Sequence, residues 1–200
     1  MLVKSLSEPD IPGETATGRR MPGEEGVWIF IFGDLIVFGL FFLTYLYYRA
    51  GDPGLYRESQ VQLNAGLGLL NTLLLLTSSW FVAQAVQAVR RNRLRAASAL
   101  IAGGFSLGVG FVIIKIIEYH EKISAGINVV SNEFFMFYFM YTGIHLLHVF
   151  IGLGVLTFLF LLSRKEAAAD HINSFESGGA FWHLVDLLWV VLFALLYLAR

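Results

Sequence analysis

The chain has 200 residues, of which 56% are hydrophobic and 14% are charged, and its mean hydropathy is +0.67. Because a soluble domain carries roughly 25% charged residues, this composition excludes a water-soluble globule and predicts a polytopic membrane protein. The net charge of −1 favours no class of partner, and no basic tract is long enough to indicate nucleic-acid binding. The absence of cysteine excludes disulfides, iron–sulfur clusters, c-type haem attachment and copper sites built on thiolates.

Residues 1–24 are predicted to form a polar N-terminal arm. The segment contains Pro9, Pro12 and Pro22 together with Ser, Thr, Gly and mixed charge. It lacks the basic start and the short apolar core of a signal peptide. Glu24 and Glu25 precede the first apolar segment, and acidic residues are favoured at a helix N-terminus. The sequence therefore predicts that a membrane domain begins at residue 25.

Residues 25–200 are predicted to form a membrane domain of five helices. Each apolar segment reaches the ~20 residues that a spanning helix needs. Because the connections are short, we expect an all-α bundle whose consecutive helices pack antiparallel, in up-down order. Glycines should let the third and fourth helices approach their neighbours closely. The predicted spans are residues 27–48, 63–89, 97–118, 134–162 and 179–199, and the glycines are Gly103, Gly104, Gly108, Gly110, Gly143, Gly152 and Gly154.

The distribution of Lys and Arg predicts how the bundle is oriented. Nine basic residues fall on the side of the N-terminal arm and four fall on the other side. Since cytoplasmic loops carry an excess of Lys and Arg, we expect a cytoplasmic N-terminus and an external C-terminus. The nine are Lys4, Arg19, Arg20, Arg90, Arg91, Arg93, Arg95, Arg164 and Lys165, and the four are Arg49, Arg57, Lys122 and Arg200.

Polar residues interrupt the apolar pattern of the first and third helices. Asp34 lies about 10 Å along the first helix, where a carboxylate that faces lipid is costly. It is interpreted either as a proton-handling or interhelical contact group, or as a neutral acid that is hydrogen-bonded to a neighbouring helix. Lys115 and Glu118 are three residues apart at the predicted end of the third helix and can pair on one face. A lysine at this position typically extends its ammonium group to the membrane boundary and anchors the helix there, whereas Glu118 is a candidate for a functional role beyond anchoring.

Histidines on the fourth and fifth helices are the remaining candidates. His145 and His148 share a helix face, and so do His183 and Asp186, where the carboxylate can orient the imidazole. Three interpretations of these side chains stay open. In the first, His148 and His183 are axial ligands of haem b. In the second, the histidines and carboxylates form a structural hydrogen-bond network between helices one, four and five, and in the third they line a path for proton transfer or for a partner's channel.

Four short motifs occur in a fixed order along the chain. Residues 70–72 read LNT, residues 117–119 read IEY, residues 142–152 read TGIHLLHVFIG, and residues 175–186 read FESGGAFWHLVD before Trp189. Together they resemble subunit III of the haem-copper oxidases, whose corresponding strings are L-N-T, S-E-Y, T-G-F-H-G-L-H-V-x-x-G and F-E-A-G-x-x-x-W-H-F-V-D-x-x-W. The resemblance extends from about residue 23 to the C-terminus.

The resemblance implies a non-catalytic subunit that itself holds no haem or copper. Subunits of this family brace the catalytic subunit, support sustained proton uptake and are associated with phospholipid, which is therefore the candidate ligand. The polar or proton-related candidates are Asp34, Glu118, His145, His148, Glu176, His183 and Asp186.

The chain also departs from the family pattern. Two additional N-terminal helices frame a lipid cleft in the usual seven-helix form, and this chain has no room for them. Asp34 stands where the family has a membrane glutamate, and residues 83–86 lack its adjacent histidine pair.

The short five-helix form resembles the NorE-type proteins that accompany bacterial nitric oxide reductases in denitrification, and we favour that assignment from the sequence. The alternative is subunit III of a terminal cytochrome c or quinol oxidase. Either implies a multi-pass protein of the bacterial inner membrane that contacts lipids and a catalytic subunit, with no catalytic centre of its own and no nucleic-acid partner. Two unrelated hypotheses are a stand-alone haem b electron carrier and a small transporter.

Overall fold

The computed structural model describes residues 23–165 and 170–199, so the predicted arm, apart from Gly23 and Glu24, lies outside the described residues. Within these ranges the chain forms six α-helices, and the last one widens into a π-helical turn. Five of the six helices are long and apolar enough to cross a membrane, which confirms the predicted all-α, five-span fold. The helices are α1 Glu25–Gly51, α2 Pro53–Val61, α3 Ala65–Arg90, α4 Leu94–Ser124, α5 Glu133–Ser163 and α6 Ile172–Phe193, and the π turn is Ala194–Leu198.

Two helix ends were predicted wrongly. α4 continues to Ser124 instead of ending at residue 118, because its polar side chains find partners inside the bundle. α6 begins at Ile172 rather than at residue 179, so the FESGG segment is helical despite its paired glycines. Those glycines lie against neighbouring helices: a β-carbon on Gly178 would lie 2.7 Å from a methyl carbon of Leu159. Close packing thus offsets the weak helix propensity of glycine.

The short helix α2 was not predicted. It follows Asp52, whose carboxylate accepts a hydrogen bond from the amide of Leu55 at 3.1 Å, and Pro53 opens its first turn. Its inner side buries Tyr56 and Gln60 against the bundle. Burial raises the pKa of the Tyr56 hydroxyl above its usual range.

α6 is the centre of the bundle and α1 lies at its edge. In the most apolar 18-residue stretch of α6, 61% of the residues are buried, against 11% in that of α1. α6 packs against α3 and α5, while α3 and α4 form the most extensive helix pair. Most large side chains of α1, such as Ile29, Phe32 and Leu43, are exposed. These apolar surfaces suit contact with lipid chains.

Trp182 of α6 joins four helices. Its indole N–H donates to the hydroxyl of Ser78 on α3 at 3.1 Å, and this hydroxyl donates to the carbonyl of Gly104 on α4 at 2.7 Å. The ring also fills the space beside Gly108 on α4 and Gly152 on α5. The predicted close helix approach is therefore confirmed at Gly104, Gly108 and Gly152, whereas a β-carbon on Gly154 would meet no atom within 4 Å.

The π turn at the end of α6 is hydrogen-bonded to α1 and α2. The carbonyl oxygen of Leu195 accepts hydrogen bonds from the Tyr45 hydroxyl at 3.2 Å and from the Gln60 amide at 3.1 Å. A π turn shifts the helical hydrogen-bond register, and these side chains supply donors to one of its carbonyls. The contact joins α1, α2 and the end of α6.

Candidate functional site

A buried polar cluster lies between α4, α5 and the π turn. Lys115 and Glu118 are 1% and 0% exposed, and their charged groups are 2.9 Å apart. The Lys115 ammonium also lies 2.9 Å from the Tyr197 hydroxyl and 3.3 Å from that of Tyr138. Tyr197 in turn donates to the second carboxylate oxygen of Glu118 at 2.5 Å. The interpretation of Lys115 as a membrane-boundary lysine is therefore wrong, since its charge is held inside the protein.

Aromatic rings enclose the same ammonium group. Its nitrogen lies 4.9 Å from the ring centroids of Tyr138 and Trp189. Three oxygen acceptors match the three N–H donors of the lysine, and the ring faces add electrostatic attraction. The Trp189 indole N–H is also satisfied, because it donates to the Thr72 hydroxyl on α3 at 3.0 Å. The cluster is thus a charged, fully paired connection between α3, α4, α5 and α6.

Asp34 of α1 and His148 of α5 form a second polar contact. The His148 Nε2 atom lies 3.4 Å from a carboxylate oxygen of Asp34, and the side chains are 13% and 17% exposed. The other ring nitrogen of His148 lies 2.9 Å from the carbonyl of Ile144 on its own helix. The predicted contact between these helices is confirmed. The Nδ1 atom of His148 is thus held by its own helix, while its Nε2 atom faces the Asp34 carboxylate.

His145 differs from His148 although only two residues separate them. It is 0% exposed, and neither ring nitrogen has a hydrogen-bond partner in the described part of the chain. The ring instead lies 5.3 Å from the Trp189 ring and 5.7 Å from that of Phe111, centroid to centroid. His145 therefore packs between α4 and α6 like an aromatic core residue.

His183 and Asp186 do not pair with each other. The His183 Nδ1 atom lies 2.5 Å from the Ser79 hydroxyl on α3, and the rest of the side chain is exposed. Asp186 is 9% exposed, and one of its carboxylate oxygens is buried without a hydrogen-bond partner among the described residues. No direct contact therefore joins the acid and the imidazole, although both side chains lie beside Ser79.

Glu176 connects the start of α6 to two other segments. One carboxylate oxygen accepts from the backbone amide of Gly23 at 2.9 Å, and the other accepts from the Arg90 guanidinium at 2.8 Å. The Ser177 hydroxyl accepts the next amide, that of Glu24, at 2.9 Å. The chain before α1 is thereby fastened to the ends of α3 and α6.

The seven predicted polar residues do not form one continuous network. Glu118 belongs to the Lys115 cluster, and Asp34 contacts His148. His183 and Asp186 both lie beside Ser79, Glu176 forms a separate junction, and His145 is apart from the others. Residues 23–165 and 170–199 contain no group of three or more His, Asp or Glu side chains placed to hold a metal ion. Tyr138 and Tyr197 were not predicted as partners of Lys115. The available signal was the three-residue spacing of Lys115 and Glu118, which lets the two charges pair on one helix face.

Comparison with known proteins identifies the family. A family profile described as cytochrome c oxidase subunit III matches residues 7–199, which is nearly the whole chain. The chain belongs to the cytochrome c oxidase subunit III family. Membership confirms the resemblance seen in the four motifs and extends it to the N-terminal side of residue 23. With its five apolar spans, a chain of this family is a multi-pass bacterial membrane protein.

Curated relatives of this subunit III chain include both separate and fused proteins. It is 30% identical to the cytochrome c oxidase subunit 3 of Alkalihalophilus pseudofirmus, covering 86% of this chain and 84% of the relative. It is 26% identical to the cytochrome bo(3) ubiquinol oxidase subunit 3 of Buchnera aphidicola, with the same two coverages.

A third relative is longer. The heme-copper oxidase subunit I+III of Aeropyrum pernix is 25% identical over 98% of this chain, which spans 25% of that relative.

Proposed function

We propose that this chain is a non-catalytic membrane subunit that binds and braces the catalytic subunit of a haem-copper oxidoreductase. The observation that carries the proposal is the match of residues 7–199 to the subunit III family. The fused relative from Aeropyrum pernix, whose name joins subunits I and III, supports a direct association between the two. Haem and copper then belong to the partner, and phospholipid remains the candidate ligand of this chain.

The packing of the bundle supports a bracing role. Trp182 links four helices, and the Lys115–Glu118 cluster links the same helices at a second level. Buried polar contacts that are fully paired favour one arrangement of helices over alternatives. A subunit built in this way presents a rigid surface on which a larger membrane protein can assemble.

The Asp34–His148 contact is the part of the chain best suited to hold a proton. It pairs a carboxylate with an imidazole, and both side chains remain partly exposed between α1 and α5. Such a pair can take up or release a proton without leaving an isolated charge in the membrane. We propose that it supports proton supply to the partner.

Within this class of partners, the resemblance of the short five-helix form to NorE-type proteins favours a nitric oxide reductase. The names of the relatives give more direct support to the alternative, because they include a cytochrome c oxidase and a ubiquinol oxidase. Both assignments share the five-span subunit III domain. They differ in the gas that the partner consumes.

Co-purification tests the proposal and separates its two forms. The chain would carry an affinity tag, and its native membranes would be solubilised in mild detergent. We expect a haem-containing catalytic subunit to be recovered with it, consuming nitric oxide if the partner is a reductase and oxygen if it is an oxidase. Recovery of the tagged chain without any haem protein would contradict the proposed function.

The proton-supply role has its own test. Asp34→Asn is expected to leave the complex assembled but to shorten the period over which the partner keeps its initial rate. Glu121→Gln is the matched control, because that side chain is 55% exposed near the end of α4. Equal durability of wild type and Asp34→Asn over many turnovers would rule out this role.

A further inference from the structure

Three cations from two helices meet at one end of the α4–α5 pair. Arg95 lies in the first turn of α4, and Arg164 and Lys165 directly follow the last residue of α5. Together with Ser98 and Ser163 they line a groove of about 370 Å³, called here the basic groove. The two serine hydroxyls lie 2.7 Å apart, so the helices are joined directly beneath the cations.

A second groove of about 230 Å³, called here the apolar groove, follows along the same two helices toward the interior of the span. Ala102 and Ser106 lie four and eight residues after Ser98, which is about 6 and 12 Å deeper along the axis of α4. The hydroxyls of Ser106 and Thr157 donate to carbonyls of their own helices at 2.9 and 2.8 Å, so the walls of the groove are almost entirely apolar. Its lining residues are Ala102, Phe105, Ser106, Leu156, Thr157 and Phe160.

The Arg164 side chain lies at the junction of the two grooves. It lines the basic groove, and its guanidinium carbon lies 5.7 Å from the ring centroid of Phe160, which lines the apolar groove. An arginine in this position keeps its charge at the membrane boundary while its stem covers apolar surface. The grooves are therefore neighbouring parts of one surface, which is charged at the end of the span and apolar below it.

The charge of the basic groove selects an anion. Arg95, Arg164 and Lys165 are exposed and form no ion pair with a carboxylate of residues 23–165 and 170–199. The sequence adds one acid beside them, Glu166, so positive charge stays in excess. Single exposed cations are common, but here three converge from two helices next to an apolar groove. The groove at the opposite end of α5 has acidic lining residues such as Glu133 instead.

We propose that this surface of α4 and α5 binds one anionic phospholipid, with the phosphate in the basic groove and an acyl chain in the apolar groove. The inference rests on the phospholipid ligand of the proposed function and gives that ligand a site. Guanidinium groups bind phosphate oxygens through paired hydrogen bonds, and basic pockets between membrane helices accommodate anionic headgroups. The order of the two grooves matches the order of headgroup and chain in a lipid, and a free phosphate ion would use only the first. Because α4 and α5 build the site alone, it differs from the cleft that two additional helices frame in the seven-helix form.

Native mass spectrometry tests the lipid preference. The full chain is purified from its native membranes with any subunit that accompanies it, and lipid adducts of the chain are titrated with phosphatidylglycerol or with phosphatidylcholine of the same acyl chains. We expect phosphatidylglycerol to bind at least tenfold more tightly, because it alone carries a net negative charge. Equal affinities would overturn the inference. So would full displacement of phosphatidylglycerol by an equal concentration of inorganic phosphate, which would show an anion site without a chain.

A double substitution tests the basic groove. Arg95→Gln/Arg164→Gln is expected to weaken phosphatidylglycerol binding about 25-fold, since each basic residue near an anionic headgroup contributes about fivefold. Arg57→Gln/Arg91→Gln is the charge-matched control, because both side chains are exposed and line neither groove. The control should match wild type. Equal losses in the two double variants would indicate unspecific charge attraction and overturn the inference.

A single substitution tests the apolar groove. Ala102→Trp fills this groove and leaves all three cations in place. It is expected to weaken the binding of both lipids about tenfold, the effect of about two methylene groups that lose their burial, while the preference for phosphatidylglycerol remains. Ala99→Trp is the control, since Ala99 is exposed on the same helix outside both grooves. Unchanged affinity in a folded Ala102→Trp variant would overturn the inference.

These measurements separate the lipid site from the proposed function. Thermal unfolding of each purified variant shows whether the bundle itself is intact. A wild-type chain that prefers phosphatidylglycerol but recovers no haem-containing subunit would contradict only the association with a catalytic subunit. A wild-type chain that recovers this subunit but shows no lipid preference would overturn only the lipid site.

Discussion

The indole of Trp182 occupies the space that a side chain at Gly152 would need. A β-carbon on Gly152 would lie 2.6 Å from two carbon atoms of that ring. The indole cannot move away freely, because its N–H is bonded to Ser78 and its other edge lies beside Gly108. The contact sets the distance between α5 and α6, and with it the separation of the polar groups on those helices.

Gly152→Ala should therefore destabilise the bundle, although alanine is the better helix former. Overpacking of this kind costs about 1–3 kcal/mol, which exceeds the gain of up to ~1 kcal/mol in helix propensity. Gly154→Ala is the matched control on the same helix, since a β-carbon there would meet nothing within 4 Å. Thermal unfolding in detergent, followed by circular dichroism, should show a lower midpoint for Gly152→Ala alone. Equal midpoints would contradict the close contact.

Glu118→Gln should be far more damaging than the loss of an exposed acid. It leaves the Lys115 ammonium buried without its counter-charge, and breaking a buried ion pair from one side costs about 3–5 kcal/mol. The double variant Lys115→Met/Glu118→Gln removes both charges and should recover much of the lost stability. Unfolding midpoints of the single and double variants provide the measurement. A double variant less stable than Glu118→Gln would show that the ion pair itself stabilises the fold.

Asp34 and His148 should be energetically coupled across α1 and α5. In a double-mutant cycle with Asp34→Asn and His148→Leu, the combined effect on the free energy of unfolding should differ from the sum of the single effects by about 0.5–3 kcal/mol. Strict additivity would indicate that the 3.4 Å contact contributes no interaction energy. Asp34→Asn with Thr157→Val is the control pair, because Thr157 bonds only its own helix among the described residues.

Two buried tyrosines near the π turn should respond in opposite ways to loss of their hydroxyls. Tyr45→Phe removes the hydrogen bond to the Leu195 carbonyl and should cost about 0.5–1.5 kcal/mol. Tyr56→Phe should be neutral or stabilising, because the Tyr56 hydroxyl is buried without a partner among the described residues. The rings are close neighbours, with centroids 5.4 Å apart, so the pair is well matched. Unfolding midpoints that fall equally for both variants would contradict this assignment of hydrogen bonds.

Several features could be predicted because their signals are local. Membrane-spanning helices can be recognised by their length and hydropathy. The motifs around His145 and Trp182 indicate the family, because their residues occur in the same order and at the same spacing as in its members. The short helix α2 escaped prediction because it has no apolar run and depends on burying Tyr56 and Gln60 beneath it. The end of α4 was misplaced because Lys115 and Glu118 look like boundary residues until their partners are known.

The sequence by itself determined that this is a five-span membrane protein of the subunit III family. The tertiary structure decided which polar groups meet: Lys115 with Tyr197, His148 with Asp34, and His183 with Ser79 in place of Asp186. The physical reason is that these helices are apolar around their whole circumference, so their periodicity does not reveal which face turns inward. Close contacts at a few glycines, above all that of Trp182 with Gly152, restrict the rotation of α3, α4, α5 and α6.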